Sequence, residues 1–542
     1  MKYDVVIIGG GLGGLQCGYI LSKHGLNVCV LEKNAQSGGC LQTFRRGPYL
    51  FDTGFHYVGG LDAGQPLHRL FDYFGLLDLP WRRLDEKGFD EVVIQDKSYM
   101  FANGYERFAE TLAEHFPHQR ENLKRYASFL RHVSDNIFNS FVKRGEEDRY
   151  GTSLFAKPAY DYLTSTIDDP LLRQVLSGTS LKMELNPQTL PLYIFAQINS
   201  SYIQSAWRLK GGGSQIAGSL IKSIIANGGS VHTNAEVTQL IEENGKITAA
   251  EITMEHAPLS GAIVEMGMVG ADLRVCPEVG GNVPMSSGTV RIEADYFIAD
   301  THPTVALALV KDSKMIRNVY RKRVNNLENT FGMFTVNVAL KENIIPYQNR
   351  NVYIHKNRDV WYHADYQPEY TNSGALVSFQ IPDVDATLTC DNAVRGFTRN
   401  IDILTPMHWQ EVEPWSETVV GRRGADYLSF KKQKAEECIR LVSGHIPGLQ
   451  DFTNPMDAIE RIYTSTALTY RDYTGTSQGA AYGIRKNYAQ LMTTLLSPRT
   501  PIPNLFLTGQ NLNLHGVLGV SITSFFTCAE ILGMETALQN LL

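Results

Sequence analysis

The sequence predicts a discontinuous α/β fold with two domains, and three observations predict it. The chain has 542 residues, which is too long for one compact core. It opens with an apolar strand, a glycine-rich turn and a helix, and the same succession recurs near its C-terminus. Between them, helical patterns and mixed strand and helix patterns alternate. We therefore expect a Rossmann-like domain built from separate parts of the chain, and a second domain of α+β type.

The composition is that of an ordinary folded protein. Hydrophobic residues make up 43% and charged residues 20% of the chain, which supplies enough apolar material for large cores. The formal net charge of −6 argues against a nucleic-acid partner, because nucleic-acid binding needs a basic surface. The cysteines are odd in number, scattered and without a CxxC pair. This pattern favours free thiols in a reducing compartment and predicts neither a disulfide framework nor a metal site.

The first residues are typical of a buried strand and not of a targeting signal. The segment MKYDVVIIGGG runs from apolar residues straight into glycines, without the basic start and the small-residue cleavage site of a signal peptide. No apolar stretch is long enough to span a bilayer. We therefore expect a cytoplasmic protein, and a peripheral membrane contact stays open. The oligomeric state is not determined by the sequence.

The opening βαβ unit carries a dinucleotide-binding motif. Residues 4–8 and 28–31 are expected to be buried strands, and residues 15–24 are expected to be a helix that Gly25 ends. The turn between them satisfies G-x-G-x-x-G, which allows a tight turn, backbone approach to a pyrophosphate and close packing of the helix. The pyrophosphate would lie on the helix N-terminus. The residues expected to take part are Gly9, Gly11, Leu12, Gly13 and Gly14.

The residues after the second strand favour FAD over NAD. Glu32 has the spacing of a carboxylate that binds an adenosine ribose, which both cofactors carry. A second glycine turn follows at once, and many FAD proteins use such a turn to guide backbone toward the flavin. Its cofactor-binding candidates are Gly38, Gly39, Cys40 and Thr43. The alternative for the whole region is a glycine-rich turn that binds no ligand.

A third glycine-rich segment lies near the C-terminus. The segment NLFLTGQNLNLHGVLGVSITSFFTCAEIL predicts a strand, a turn and an apolar helix. Such a turn can return to the same cofactor and place a second helix N-terminus near the flavin ring. Its candidates are Gly509, Gln510, Gly519 and Val520.

The same changes of pattern set the expected domain boundaries. We assign residues 1–80, 205–305 and 456–542 to the Rossmann-like domain, and residues 81–204 and 306–455 to the substrate-binding domain, which has a helical part between residues 85 and 205. Residues 255–290 are rich in glycine and proline, show no clear period and receive no role.

Five segments in a fixed order resemble one known family. They are SGGCLQTF, FDTGFHYVGG, LKGGGSQIAGSLIKSI, SQGAAYGI and TPIPNLFLTGQNLNLHGVLG. Together they resemble the carotenoid desaturase, isomerase and saturase group of FAD oxidoreductases, and most of all its retinol saturase branch. The resemblance is strong over residues 1–60, 205–245 and 460–535. Cys40 departs from the arginine that the wider superfamily often has there, and a redox role for its thiol is a weak alternative.

The resemblance implies the fold and the cofactor contacts. The fold would be the amine-oxidase-like one, with a discontinuous FAD domain. Besides the glycines, Glu32 and Val520 already named, the resemblance implies FAD contacts from Lys33, Gly54 and Val237, with the Val237 backbone at the adenine. A strand residue in a core would look the same as Val237.

The chemistry that the resemblance implies is hydride transfer at flavin N5 to or from a carbon–carbon double bond of an apolar polyene, such as a retinoid or a carotenoid. A proton donor or base must lie near the flavin, and the candidates are His56, Tyr57, Tyr482 and His515. NAD(P)H, a quinone and oxygen are all open as redox partners. An aromatic stretch could line a substrate tunnel or fill a core, and it contains Tyr193, Phe195, Tyr202 and Trp207.

Other functions stay open at this point. A flavin-dependent isomerase without net redox change and an amine oxidase would share the motifs. A lipid or prenyl carrier of the same fold would carry out no redox chemistry, although the intact Glu32, the Gly38–Gly39 turn and the Gly509–Gly519 segment weigh against it. The direction of the reaction and the natural substrate are not determined by the sequence.

Overall fold

The computed structural model describes residues 2–138, 149–254, 289–361, 366, 374–382, 396–539 and 541. The expected segment 255–290 therefore lies outside the described residues except for its last two, which begin a strand. The strands are β1 Lys2–Ile8, β2 Val28–Leu31, β3 Thr43–Arg46, β4 Tyr49–Asp52, β5 Val58–Gly59, β6 Trp81–Arg83, β7 Asp90–Ile94, β8 Lys97–Phe101, β9 Ala206–Leu209, β10 Ser230–His232, β11 Ala235–Glu243, β12 Lys246–Met254, β13 Thr289–Ala299, β14 Gly332–Leu340, β15 Ile345–Pro346, β16 Asn351–His355, β17 Gly374–Phe379, β18 Phe397–Thr398, β19 Asn400–Met407, β20 Ile459–Ser465 and β21 Leu505–Leu507.

The helices of the described residues connect and cover these strands. They are α1 Leu12–Lys23, α2 Pro66–Tyr73, α3 Tyr105–His115, α4 Arg120–Asp135, α5 Arg149–Phe155, α6 Ala159–Thr166, α7 Pro170–Leu176, α8 Leu192–Gln204, α9 Ser214–Ala226, α10 Pro303–Ala308, α11 Asn318–Asn325, α12 Gly424–Ser443, α13 Ala467–Thr474, α14 Leu491–Thr494, α15 Gly516–Leu532 and α16 Met534–Ala537. The α/β fold class is confirmed, as are the βαβ opening and the strand, turn and helix at the end.

The first sheet is a Rossmann-like layer. Its order is β10-β2-β1-β13-β12-β11, and β21 also pairs with β13. The strands β10, β2, β1, β13 and β21 are parallel, whereas β11 and β12 form an antiparallel extension. Val5 and Ile7 pack against helices α1, α9 and α15, and their neighbours Val6 and Ile8 pack on the opposite face. This alternation follows from the two-residue period of a strand, and it makes β1 a fully covered central strand.

The second sheet is mostly antiparallel. Its order is β20-β14-β19-β17-β16-β7-β8. Phe334 and Val336 pack under helix α12 on one face, whereas Met333 of the same strand points to the other face. Helices α3, α4 and α8 form a core with that other face. The second sheet thus has one face in a closed core and one face toward the interior between the two sheets.

One segment differs from the expected secondary structure, and two differ from the expected domain boundaries. Residues 90–101, expected to be helical, form the β7–β8 hairpin at the edge of the second sheet. Strand β20 belongs to the second sheet, although residues 456–542 were assigned to the first domain. Leu307 and Val324 pack on the first sheet, although residues 306–455 were assigned to the second domain. These departures share one cause, because the partner strand or sheet of a segment depends on residues far away in the chain.

Candidate active site

The carboxyl ends of the parallel strands meet at one edge of the first sheet. Gly9 follows β1, Glu32 follows β2, Asp300 follows β13 and Thr508 follows β21. In open α/β sheets ligands bind outside this edge, because loops and helix N-termini converge there. The edge therefore brings together the N-terminal and C-terminal motifs, which are separated by about 500 residues of sequence.

The N-terminal glycine turn is packed too closely for side chains. Gly9 has φ +102°, and a Cβ added to it would lie 2.7 Å from the Asp300 carbonyl oxygen. A Cβ on Gly14 would lie 2.1 Å from the Gly9 carbonyl oxygen. Helix α1 begins at Leu12, directly after this turn. Only glycine fits these positions, and the turn leaves the N-terminus of α1 open to a ligand.

The C-terminal glycine turn lies against the N-terminal one. A Cβ on Gly13 would lie 3.1 Å from the Cα of Gly509. Helices α1 and α15 pack together, and Gln16 Nε2 donates a hydrogen bond of 2.7 Å to Ser521 Oγ. Both turns line one cavity with a volume of about 330 Å³. The expected cofactor residues on its wall are Gly11, Leu12, Gly13, Gly38, Gly39, Cys40, Gly54, Gly509, Gln510 and Val520.

The other expected cofactor residues lie behind or beside this wall. Gly9, Gly14 and Gly519 shape the turns from within. Glu32 is buried, its Oε2 accepts a hydrogen bond of 2.9 Å from the Gly10 amide, and its Oε1 accepts one of 2.8 Å from the Asn34 amide. The remaining three expected residues do not line the cavity. The Lys33 side chain is exposed, and the Thr43 amide donates a hydrogen bond to Ser214 Oγ. Val237 of β11 packs in the core on one face of the first sheet.

Asp300 is a site residue that sequence reasoning missed. Its half-buried carboxyl group lines the cavity between the two glycine turns, and a Cβ on Gly11 or on Gly509 would lie 2.6 Å or 2.5 Å from its oxygens. Burial raises the pKa of Asp300 to about 7, with a further contribution from Glu32, whereas amide hydrogen bonds from Gly14 and Gly11 lower it. The available signal was an acid directly after the buried segment YFIA.

All four catalytic candidates line the cavity, namely His56, Tyr57, Tyr482 and His515. His515 directly precedes α15, and its Nε2 lies 3.1 Å from the Lys182 carbonyl oxygen. Burial lowers the pKa of His515 to about 4, so its imidazole is neutral at pH 7. The Tyr482 hydroxyl donates to the Leu181 carbonyl, and the Tyr482 and His515 rings lie 4.5 Å apart. His515 can therefore donate a hydrogen bond, but it carries no extra proton to give away.

His56 lies beside two buried carboxyl groups. Its Nδ1 is 3.5 Å from Asp402 Oδ2, and neither ring nitrogen has a hydrogen-bond partner in the described part of the chain. Gln380 Nε2 donates to both Asp402 and Asp52 at 3.2 Å. Burial raises the pKa of Asp52 to about 6, although His56 lowers it in part. His56 thus lies in the cavity wall with Nδ1 toward Asp402 and with no hydrogen bond from either nitrogen in the described part of the chain.

Tyr57 belongs to a second polar group that sequence reasoning found only in part. Its hydroxyl donates to Asp90 Oδ2 at 2.9 Å and lies 2.5 Å from the Tyr353 hydroxyl. Lys182 Nζ donates to the same Asp90 oxygen at 2.8 Å. Lys182, Tyr202 and Tyr353 line the cavity with Tyr57. Asp90 and Lys182 carry no local motif, and only their meeting in the fold identifies them.

The other residues singled out in the sequence are Cys40 and the four aromatic tunnel candidates. The exposed side chain of Cys40 faces the cavity, and desolvation by the protein atoms around it raises the pKa of its thiol to about 11, which disfavours a reactive thiolate. Tyr202 lines the cavity, whereas Phe195 is fully buried in the core and Tyr193 stacks on Phe155. Trp207 donates its Nε1 hydrogen to Asp62. Of the two alternatives for this stretch, lining of the cavity therefore applies to Tyr202 alone among the four residues.

Metal-binding clusters and membrane-spanning helices are both absent from the described residues. These residues contain no group of three or more His, Cys, Asp or Glu side chains that could hold a metal ion. No helix among them combines the length and the apolar character needed to cross a bilayer.

Comparison with known proteins agrees with this geometry. Residues 7–74 match the model of the NAD(P)-binding Rossmann-like domain. The all-trans-retinol 13,14-reductases of Homo sapiens and Danio rerio are 26% and 25% identical to the chain, covering 100% and 98% of it and 87% and 86% of their own lengths. A 4,4'-diapophytoene desaturase of a Methylomonas species is 27% identical over 46% of this chain and 50% of its own.

Solved structures show the same fold at low identity. An oxidoreductase from Methanosarcina mazei has a TM-score of 0.57 and 16% identity, covering 97% of this chain and 99% of its own. A putrescine oxidase bound to putrescine has a TM-score of 0.58 and 14% identity, covering 98% and 99%. The fold is therefore the amine-oxidase-like one, with a dinucleotide-binding Rossmann domain. Together with the retinol reductases that match over nearly the full chain, this makes the chain similar to the carotenoid desaturase, carotenoid isomerase and retinol saturase group of oxidoreductases.

Proposed function

We propose that this chain holds FAD between its glycine turns and transfers hydride between flavin N5 and a carbon–carbon double bond of an apolar polyene, a retinoid or a carotenoid. One observation carries the proposal: glycine turns from both ends of the chain and an apolar face of the second sheet line a single cavity. The names of the relatives, which refer to retinol and to diapophytoene, support the substrate class.

The turns fit a flavin dinucleotide. A Cβ on Gly39 would lie 3.4 Å from the Cα of Gly11, so these glycines leave a cradle that side chains would fill. The N-termini of α1 and α15 both face this cradle and favour negative charge, which suits a pyrophosphate and a reduced flavin ring. Glu32 would accept hydrogen bonds from the ribose, and Val237 would meet the adenine through its backbone.

The substrate half of the cavity is apolar. Its wall includes Leu181, Ile198, Met333, Leu376, Leu404 and Leu514. A wall of this kind binds an apolar chain and excludes water from the reacting carbons. When bound, the flavin supplies the hydride chemistry, and the chain contributes position, a dry site and a proton donor.

Two other reactions compete with this one. An amine oxidase must admit a protonated amine, and Lys182 places a cation on the wall, although Asp90 offsets its charge. A polyene isomerase would use the same cavity without net redox change, and product analysis separates it from a saturase or a desaturase.

The test of the proposed function is an anaerobic reaction of the flavin-loaded protein. The bound flavin is reduced chemically, all-trans-retinol, a carotenoid or putrescine is added, and the visible flavin band is followed. We expect the polyenes to reoxidise the flavin and to gain two hydrogens. The oxidised protein is tested with the same compounds for the reverse reaction, and NAD(P)H is tested as electron donor. A protein that cannot be loaded with FAD, or one that reacts with putrescine alone, would contradict the proposal.

Asp300 makes flavin binding depend on pH. Its pKa of about 7 in the free protein means that it is neutral below that pH and ionised above it. A pyrophosphate on α1 repels the ionised form, so binding above pH 7 requires proton uptake. We therefore expect the dissociation constant of FAD to rise by about tenfold per pH unit above pH 7, because one proton is linked to binding.

Quenching of flavin fluorescence across this pH range measures the effect. Asp300→Asn should bind FAD with little pH dependence, because the amide does not titrate. Asp295→Asn is the matched control on the same strand, since Asp295 is half exposed and pairs with Lys2 at the surface. Equal pH dependence in all three proteins would show that another group is responsible.

A further inference from the structure

A polar cluster is buried in the cavity wall contributed by the second sheet and the helices on it. We call it the Tyr57 cluster, and it consists of Tyr57, Asp90, Lys182 and Tyr353. Asp90 Oδ2 accepts hydrogen bonds from the Tyr57 hydroxyl and from Lys182, at 2.9 Å and 2.8 Å. Asp90 Oδ1 accepts from Asn351 Nδ2 at 2.9 Å. Both oxygens of the Asp90 carboxylate thus accept hydrogen bonds, and the carboxylate orients both a phenol and an ammonium group.

The charges of this cluster are held almost out of water. The side chains of Lys182 and Asp90 are 7% and 0% exposed. Lys182 Nζ lies 4.0 Å from the centre of the Tyr202 ring and 5.2 Å from that of Tyr57. A buried ion pair brings little net stability, because the loss of hydration offsets the attraction. Such a pair beside a reaction cavity therefore points to a role in the chemistry.

The main chain at Lys182 is hydrogen-bonded to residues that lie next to the proposed flavin site. Its carbonyl oxygen lies 3.1 Å from His515 Nε2, and His515 directly precedes α15. The neighbouring Leu181 carbonyl accepts from the Tyr482 hydroxyl. These contacts join the Tyr57 cluster to the C-terminal glycine segment. They place it where a flavin and an apolar substrate would meet.

Tyr57 holds a transferable proton in this wall, and its hydroxyl contacts both the Asp90 carboxylate and the Tyr353 hydroxyl. Burial and the Asp90 carboxylate raise the pKa of Tyr57 well above its ordinary range, so the phenol stays protonated at neutral pH. The groups that face it are Asp90 of β7, Lys182, Tyr202 of α8 and Tyr353 of β16, with Tyr482 and His515 beside them. His515 is neutral, as its pKa of about 4 requires.

We infer that Tyr57 is the proton donor in the saturation of the double bond, and that Lys182 and Asp90 are its positioning residues; this inference rests on the proposed function. When bound, the reduced flavin would supply the hydride that forms a C–H bond at one alkene carbon as the π bond breaks. Its electron pair forms a second C–H bond with the Tyr57 proton, while the Tyr57 O–H bond breaks and the flavin is left oxidised. The Lys182 ammonium, which binds the same Asp90 oxygen and lies 5.2 Å from the centre of the Tyr57 ring, offsets the Asp90 charge beside the phenolate until a proton returns from solvent.

The test compares Tyr57→Phe with Tyr427→Phe in the flavin-loaded protein. Tyr427 is a buried tyrosine on α12 whose hydroxyl lies 2.8 Å from Thr466 Oγ1, away from the cavity. With all-trans-retinol as the probe, we expect flavin reoxidation in a single anaerobic turnover to slow by about 100-fold or more in Tyr57→Phe, as the loss of a general acid predicts. We expect it to change by less than about threefold in Tyr427→Phe, and retinol binding should be unchanged in both.

Lys182 is tested through the pH profile. Lys182→Met removes the cation, which makes the Tyr57 phenol a weaker acid. We therefore expect slower flavin reoxidation and a higher alkaline limit, which is the pH above which the reoxidation rate falls. Lys182→Arg should restore part of the rate and return the limit toward its original pH. A merely structural role would lower the rate without moving this limit.

If Tyr57→Phe does not fold or load flavin, Tyr353→Phe replaces it. We expect this variant to lose about tenfold in reoxidation rate, for one hydrogen bond of the network.

The outcomes separate the two proposals. Reoxidation by retinol at equal rates in the unaltered chain and Tyr57→Phe overturns the Tyr57 cluster and leaves the proposed function standing. If flavin reoxidation stays fast in Tyr57→Phe and becomes slow in His56→Gln, the proton donor is the His56 imidazole beside Asp402. Failure of the unaltered, flavin-loaded chain to react with any polyene overturns the proposed function and this inference with it.

Discussion

Replacing Gly14 with alanine is expected to abolish FAD binding. The new Cβ would lie 2.1 Å from the Gly9 carbonyl oxygen, which is backbone and cannot move aside like a flexible side chain. Relief of this clash requires α1 to move away from β1, and the helix N-terminus then leaves the pyrophosphate position. We expect the affinity for FAD to fall by at least about 100-fold and the free energy of unfolding to fall by about 3 kcal/mol, as for other overpacked sites.

Gly218→Ala is the matched control. Gly218 lies inside α9, and a Cβ there has no atom within 4 Å among the described residues. Alanine favours a helix over glycine by about 1 kcal/mol, so this variant should be as stable as the original or more stable, with normal flavin affinity. Fluorescence titration with FAD and denaturant unfolding of the apoprotein measure the two quantities. Normal FAD affinity in Gly14→Ala would mean that the cofactor does not bind at this turn.

Replacing Glu32 with alanine is the second change with a large expected effect. In the free protein the Glu32 carboxylate holds the Gly10 and Asn34 amides, and with FAD it would also bind the ribose hydroxyls. A hydrogen bond to a charged group contributes about 1.5–3 kcal/mol, so two lost ribose contacts weaken FAD binding by about 100-fold or more. The Gly10 amide would lose its acceptor, which lowers the free energy of unfolding by a further ~1–3 kcal/mol.

The control for this change is Glu243→Gln. Glu243 lies at the end of β11 and forms a surface ion pair of 3.2 Å with Arg291, which contributes at most about 1 kcal/mol. Isothermal titration with FAD separates loss of affinity from loss of stability. If Glu32→Ala binds FAD as tightly as the control but unfolds more easily, the carboxylate supports the turn and does not bind the ribose.

The local parts of the fold were predictable because their signals are local. The spacing of Gly9, Gly11 and Gly14 and the apolar runs beside them predicted β1, α1 and β2, and β2 has the expected bounds. The assignment of β7, β8 and β20 to the second sheet was not predictable, because the sequence of a short apolar strand does not specify the strand with which it pairs.

The candidate site divides in the same way. His56, Tyr57, Tyr482 and His515 were proposed from their positions next to glycine motifs, and all four line the cavity. Asp90 and Lys182 are 92 positions apart, and Tyr57 and Tyr353 are 296 apart. No spacing rule connects such residues. The environment also changed their chemistry, since burial makes His515 a neutral group, whereas an ordinary histidine suits proton exchange near pH 7.

The sequence by itself determined that a nucleotide-binding βαβ unit opens this chain and that its motifs resemble those of polyene oxidoreductases, because glycine spacing and strand period act over a few residues. Only the tertiary structure decided which buried groups face the reacting carbons and in which charge state. Desolvation and partner charges set those states, and both depend on atoms that meet only when distant segments pack together.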